Sequence, residues 1–156
     1  MGSNLGDRKG HLLRACELLE QQVGVITDRS NIYRTQAWGS ADQPAYYNQV
    51  VKINTELAPS SLLDEILSIE EKIGRIRRSK WESRIIDIDI LYYDQQILDE
   101  SHLIVPHPQI PNRRFTLVPL CELAPDLKHP QLGMTTVELL DNCKDELLVE
   151  PLRSES

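Results

Sequence analysis

Apolar side chains recur at helical spacing in two stretches of the chain and predict two amphipathic helices. The first helix is expected from about Gly10 to Gln22 and the second from Ala58 to Gly74. Ser60 or Ser61 is the expected N-cap of the second helix. The apolar positions are three or four residues apart, as in Leu12, Cys16, Leu19, Leu62, Ile66 and Ile69.

Three stretches in which apolar and polar residues alternate predict β-strands. They cover residues 25–34, with a turn-like interruption at 28–30, residues 46–55, and residues 85–93. The third stretch has the most regular alternation, so we expect it to be the best-formed strand.

The order of these elements predicts the class of fold. Helix, strand, strand, helix and strand, preceded by a strand leading into Gly2, would give a ferredoxin-like βαββαβ arrangement. We therefore expect an α+β domain with a mainly antiparallel sheet and helices packed on it. Extra C-terminal helices are predicted from near Asn112 through Leu123, with a kink at Pro119, and from Thr135 to Cys143.

Composition narrows the classes of function. A chain of 156 residues with 40% hydrophobic content can bury a core, so residues 1–156 are expected to form one domain. The net charge of −7 argues against a general nucleic-acid binder. No apolar run approaches membrane-spanning length, and the polar N-terminus does not resemble a signal peptide. Three widely spaced cysteines fit reduced thiols, so we expect a cytoplasmic protein without a membrane partner.

The third predicted strand carries two aspartates, Asp87 and Asp89, between isoleucines. Alternation places both carboxylates on one face, with Cα atoms roughly 6.5–7 Å apart. Two unneutralised carboxylates would repel each other, and Mg²⁺ between them would remove that repulsion. The alternative is an amphipathic strand with a solvated acidic face.

A cluster of basic residues directly precedes the aspartates. Residues 75–84 contain five bases, where a uniform distribution of 17 would give about one in ten residues. Guanidinium groups bind phosphate oxygens in pairs of hydrogen bonds, so arginines beside a magnesium site favour polyphosphate chemistry. A solvated basic loop that balances nearby acids is the alternative. The five bases are Arg75, Arg77, Arg78, Lys80 and Arg84.

Two other groups of residues are candidates for ligand contacts. His107, between two prolines, could donate to a phosphate, and Arg113 and Arg114 add positive charge. Tyr46 and Asn48 share one face of a strand and combine a stacking ring with an amide that both donates and accepts. A histidine without a ligand and an ordinary strand edge are the respective alternatives.

Together, these segments resemble the 6-hydroxymethyl-7,8-dihydropterin pyrophosphokinase family. The resemblance covers roughly residues 2–145 and rests on GSNLGDR, QPAYYNQVV, GRIRRSKWESRIIDIDILYYD, VPHP and NRRFTLVPLCELAP, in that order. It implies a ferredoxin-like fold and transfer of the β,γ-pyrophosphate of ATP to the pterin hydroxymethyl group. AMP is then released, in folate biosynthesis.

The resemblance also implies roles for individual residues. Asp87 and Asp89 would bind two Mg²⁺ ions, and they would form the catalytic set with Arg75 and Arg84 of a mobile loop. The implied ATP-binding residues are Glu70, Arg75, Arg77, Trp81, Arg84, Ile90, His107 and Arg113. The implied pterin-binding residues are Tyr46, Asn48, Asp87 and Phe115.

Further expectations follow from the same resemblance. A functional link to dihydropteroate synthase is expected, and catalysis should rest on positioning and electrostatics. The family's first strand would precede Gly2, so we expect the natural product to begin several residues upstream of Met1. The competing hypotheses are a non-catalytic nucleotide- or pterin-binding module and a regulatory or interaction domain of the same shape.

Overall fold

The computed structural model describes residues 1–36, 44–74 and 85–153. Its helices are α1 (Arg8–Gln22), α2 (Pro59–Ile73), α3 (Arg114–Leu123) and α4 (Thr136–Asp141), with a 3-10 turn at Ile110–Asn112. Its strands are β1 (Gly2–Ser3), β2 (Gly24–Arg29), β3 (Tyr33–Thr35), β4 (Tyr46–Asn48), β5 (Val51–Thr55), β6 (Leu98–Asp99), β7 (Ile104–Val105) and β8 (Val149–Pro151).

The start of α2 differs from the sequence prediction. The prediction of Ser60 or Ser61 as N-cap is wrong, because Ala58 occupies that position and makes no side-chain capping bond. Pro59 follows as the first helical residue, where its fixed φ suits a helix and its missing N–H is not needed. The helix ends as predicted at Gly74, whose φ of 111° favours glycine.

All strand pairs in the described residues are antiparallel. One sheet has the order β1-β4-β3-β8, and two further pairs are β2-β5 and β6-β7. The β2–β3 and β4–β5 stretches run alongside each other, and both are interrupted at the same level. There, the Ser30 hydroxyl accepts a hydrogen bond from the Val50 N–H at 3.0 Å.

The mixed α/β class with antiparallel strands and packed helices is confirmed, but one strand prediction needs correction. The predicted strand over residues 85–93 is wrong, because only Asp87 pairs there, with Gly2. β1 offers only Gly2 and Ser3 for pairing. Gly2–Ser3 forms a strand at the position into which the predicted first strand leads.

The helices pack around two apolar clusters. The first lies between α1, α2 and the segment that carries the aspartates, and its buried members include Leu12, Leu19, Ile66, Ile69 and Ile86. The second lies around α3 and α4 and contains Ile110, Leu117, Leu120 and Leu139. Among residues 1–36, 44–74 and 85–153, no helix has the length and apolarity needed to cross a bilayer.

His129 gives the fold a measurable dependence on pH. The side chain is buried, and its Nδ1 accepts hydrogen bonds from the N–H groups of Gln131 and Leu132, each at 3.2 Å. Burial lowers the pKa of His129 below its ordinary 6.5. As the pH falls, His129 is therefore protonated in the unfolded chain before it is protonated in the folded protein. The contribution of His129 to the free energy of unfolding is complete above pH 6.5 and declines below it.

We expect His129→Asn to flatten this pH dependence, because the amide oxygen can accept the same bonds but cannot be protonated. Each unit of difference in pKa corresponds to about 1.4 kcal/mol of unfolding free energy. Urea unfolding at pH 7 and near pH 5 measures the change, with the exposed His102→Asn as control. An unchanged pH dependence in His129→Asn would contradict this account.

Candidate active site

The two aspartates lie on an extended segment beside the start of the chain. The backbone of Asp87 exchanges two hydrogen bonds with Gly2, both 2.8 Å long. Ile86 and Ile88 are buried, whereas Asp87 is half-buried and the Asp89 carboxylate is exposed. The predicted alternation is therefore present, and both carboxylates lie on the side away from the first core cluster.

Glu70 lies beneath the aspartates, on α2. It is 2% exposed, and its Oε2 accepts a hydrogen bond from the backbone N–H of Ile88 at 2.9 Å. Ile88 is the residue between Asp87 and Asp89. This buried carboxylate therefore fixes the backbone that carries the two aspartates, a contact that no sequence pattern indicated.

His107 lies at the edge of the aspartate pair. The backbone N–H of His107 donates to the Leu91 carbonyl at 2.9 Å, which ties this loop to the segment after Asp89. The His107 Nδ1 accepts from the Gln109 N–H at 3.1 Å, so the neutral ring carries its proton on Nε2. That Nε2 lies 3.9 Å from Asp89 Oδ1. Burial lowers the pKa of His107, so the ring is neutral at neutral pH.

The N-terminus of α3 brings Arg113 and Phe115 together. The guanidinium carbon of Arg113 lies 5.6 Å from the centre of the Phe115 ring. Asp145 fixes this helix start, because its Oδ2 accepts from the Arg114 N–H at 3.0 Å. The charge of Arg113 also contributes to lowering the pKa of His107, which places the two groups in the same electrostatic environment.

The pairing register places Tyr46, Asn48 and Asp87 on one face of the sheet. Gly2 is paired with Asn48 on one side and with Asp87 on the other. Directly paired residues project their side chains to the same face of a sheet. The side chains of Asn48 and Asp87 therefore project to one face, on either side of Gly2. A Cβ at Gly2 would lie 2.7 Å from Asn48 Oδ1, so only glycine leaves this space open.

Two buried polar atoms on this face have no hydrogen-bond partner within the described residues: Asn48 Nδ2 and Thr35 Oγ1. Thr35 is paired with Tyr46 across the β3–β4 register, so its hydroxyl lies on the same face. An unpartnered buried polar group is unfavourable, and a bound ligand can supply the missing partner. Sequence reasoning missed Thr35, because an isolated threonine in a strand is common.

Four candidate residues lie within residues 75–84, outside the described residues. These are Arg75, Arg77, Trp81 and Arg84. Ile90, placed by the resemblance on the adenine side, is half-buried and packs against the first core cluster. Among the described candidates, Tyr46 and Asn48 share one face of β4, and Gly2 joins Asn48 to Asp87. Glu70 bonds the backbone between Asp87 and Asp89. Arg113 lies beside Phe115, and its charge acts on His107 together with Asp89 and Asp87.

The donor set suits a metal ion that is shared with a substrate. Within the described residues, no cluster of three or more histidine, cysteine or acidic side chains could enclose a metal ion by itself. Mg²⁺ is typically held by one or two carboxylates together with substrate phosphates. Asp87 and Asp89 fit that pattern.

Comparisons with known proteins find relatives over most of the chain. Residues 1–125 match the family model of 7,8-dihydro-6-hydroxymethylpterin-pyrophosphokinase. The chain is 44% identical over 128 residues to the 2-amino-4-hydroxy-6-hydroxymethyldihydropteridine pyrophosphokinase of Methylorubrum extorquens, covering 81% of each protein. It is 38% identical over 151 residues to the Haemophilus influenzae enzyme of the same name, covering 96% of this chain and 94% of that protein.

A third relative is a longer protein. The chain is 36% identical over 145 residues to the folic acid synthesis protein fol1 of Pneumocystis carinii, covering 93% of this chain and 20% of that protein. The family match and the two shorter relatives span most of the chain. The chain therefore belongs to the 7,8-dihydro-6-hydroxymethylpterin-pyrophosphokinase family, the pyrophosphokinases of folate synthesis.

Proposed function

We propose that the face carrying Tyr46, Asn48 and Asp87 binds 6-hydroxymethyl-7,8-dihydropterin beside the phosphates of ATP. The observation that carries this proposal is the continuity of the face across Gly2. A ring held at Asn48 would have its substituent near the aspartates. That is where a polyphosphate neutralised by Mg²⁺ would have to lie.

The pterin end of this face offers both hydrogen bonds and stacking. The Asn48 amide has a buried donor without a partner among the described residues, which suits an acceptor on a flat heterocycle. Tyr46 and Phe115 supply aromatic surfaces for the two faces of the ring. We assign Thr35 to the same subsite because its buried hydroxyl also has no partner within the described residues.

The phosphate end is assigned to the charged residues. We propose that Asp87 and Asp89 hold two Mg²⁺ ions, which would neutralise the phosphate oxygens, while His107 and Arg113 contact the phosphates. His107 is suited to this role because its neutral ring presents a proton on Nε2. Glu70 and Ile90 would border the adenine. Arg75, Arg77, Trp81 and Arg84 would complete the ATP-binding set, with Arg75 and Arg84 catalytic.

The reaction would then proceed by positioning and electrostatic stabilisation. The hydroxymethyl oxygen attacks the β-phosphorus of ATP, and the bond from that phosphorus to the α,β-bridging oxygen breaks. AMP leaves with the bridging oxygen, and the hydroxyl proton passes to solvent. Asn48 and the two aromatic rings orient the nucleophile in line with the leaving oxygen. Because both substrates are then held in a reactive geometry, a bimolecular step becomes effectively unimolecular.

We also propose the wider setting of the activity. The domain over residues 1–156 would be ferredoxin-like, which the pairing of Gly2 with both Asn48 and Asp87 supports. A functional link to dihydropteroate synthase is supported by the Pneumocystis carinii relative, in which the matched part is a fifth of a longer folic acid synthesis protein. All three cysteines are free, which suits the reducing cytoplasm. These free cysteines are Cys16, Cys121 and Cys143.

Phosphorus NMR of the products tests the proposed transfer. The protein is mixed with ATP, Mg²⁺ and 6-hydroxymethyl-7,8-dihydropterin. The expected products are AMP and a pterin pyrophosphate in equal amounts. ADP with a pterin monophosphate would contradict the position of attack. Tight ATP binding without AMP formation would instead support a non-catalytic binding module.

Asn48→Ala should weaken pterin binding and spare ATP binding. Removing the buried amide donor deletes a hydrogen bond to the ring, so the KM for the pterin should rise about tenfold. Initial rates at varied pterin and at varied ATP separate the two effects. The exposed Asn54→Ala is the matched control. An unchanged KM for the pterin in a folded Asn48→Ala protein would exclude Asn48 from the pterin subsite.

A further inference from the structure

The side chain of Arg8 connects the start of α1 to the beginning of β4. Its Nη1 donates a hydrogen bond to the carbonyl oxygen of Ala45 at 2.7 Å, and its Nη2 donates to the hydroxyl of Tyr47 at 3.2 Å. Its guanidinium carbon also lies 3.9 Å from the centre of the Tyr47 ring. The side chain is half-buried, and all three of these contacts are with uncharged groups.

Tyr46 lies between the two residues that Arg8 holds. Successive side chains of a strand point to opposite faces, so Tyr47 faces α1 while Tyr46 faces the side of Asn48. The pairing of β4 with β3 ends at Thr35–Tyr46, and Arg8 bonds the backbone of Ala45 just beyond that pair. Arg8 therefore fixes the chain on both sides of Tyr46 without touching the face that Tyr46 presents.

We propose that Arg8 is a positioning residue that orients Tyr46 for stacking on the pterin ring. This role rests on the proposed function, because it assumes that Tyr46 contacts the pterin. The planar guanidinium makes two directed hydrogen bonds and covers an aromatic ring at the same time. A lysine ammonium, as a single point charge, cannot reproduce that combination.

Binding and kinetic measurements on Arg8→Met and Arg8→Lys test this role. Arg8→Met keeps an apolar stem over Tyr47 but loses both hydrogen bonds, so the KM for the pterin should rise about tenfold. The KM for ATP should stay unchanged. Arg8→Lys should show an intermediate rise, because one donor is retained. The neighbouring Lys9 is exposed, and Lys9→Met is the matched control with wild-type constants.

Tyr47→Phe provides a second variant that removes only the hydroxyl bonded by Arg8. If both changes act through the orientation of Tyr46, their effects on the KM for the pterin should be less than additive in the double variant. Fully additive effects, or an equal rise in the KM for ATP, would overturn the positioning role. An unchanged KM for the pterin in folded Arg8→Met would overturn it as well.

The failure of this role can be distinguished from failure of the proposed function. Tyr46→Ala should raise the KM for the pterin if the proposed subsite is correct. If Tyr46→Ala binds the pterin normally, the subsite itself is wrong. If Tyr46→Ala is impaired and Arg8→Met is normal, only the role of Arg8 is overturned.

Discussion

Replacing Asp87 or Asp89 with asparagine is expected to lower AMP formation by about a thousandfold, the scale seen when a charge-stabilising group is removed from an active site. The amide has nearly the same shape as the carboxylate but lacks the negative charge that would hold Mg²⁺. Both residues lie on the side away from the core, so the variants should fold. AMP release measured over a range of Mg²⁺ concentrations checks this prediction.

Asp94→Asn is the matched control for the aspartate variants. Asp94 is exposed and has a φ of 51°, a conformation that asparagine also adopts. The control should keep wild-type activity. Asp87→Asn should also raise the KM for the pterin, because Asp87 follows Asn48 across the sheet face. Wild-type rates in either aspartate variant would exclude that residue from metal binding.

Glu70→Ala is expected to reduce both the activity and the stability of the fold. The change leaves the buried N–H of Ile88 without its acceptor, which costs about 1–3 kcal/mol. The backbone between the two aspartates then loses its fixed position, so kcat should fall about a hundredfold even at saturating substrates, as small displacements in active sites do. Glu70→Gln keeps an acceptor of the same shape and should retain more of both properties.

Urea unfolding and steady-state kinetics together separate two roles for Glu70. The neighbouring Glu71 is exposed, and Glu71→Ala serves as the control with unchanged stability and kinetics. A rise confined to the KM for ATP, with no loss of stability, would show that Glu70 acts only on the adenine side and does not support the aspartates.

Sequence patterns predicted those features that depend only on neighbouring residues in the chain. The alternation around Asp87 and Asp89 reappears in the burial of Ile86 and Ile88, because period-two patterning directly reports which face is covered. The strand assigned to the same stretch was wrong, since pairing depends on a distant partner and β1 supplies only two residues. Local sequence carries no information about the length of that partner.

The contacts that sequence reasoning missed join residues far apart in the chain. Arg8 bonds Ala45, 37 positions away, and Glu70 bonds Ile88, 18 positions away. Each contact uses a backbone group, which every residue has, so residue type gave no indication. β8 was missed because it is short and contains Pro151, which is tolerated at the edge of a sheet.

Locating the metal ions tests the central proposal most directly. Crystals of the protein with Mn²⁺, a non-hydrolysable ATP analogue and the pterin can be measured for anomalous scattering from manganese. The account predicts manganese peaks about 2.1 Å from carboxylate oxygens of both Asp87 and Asp89, with the pterin ring against Asn48. Manganese bound to the nucleotide but away from both carboxylates would contradict it.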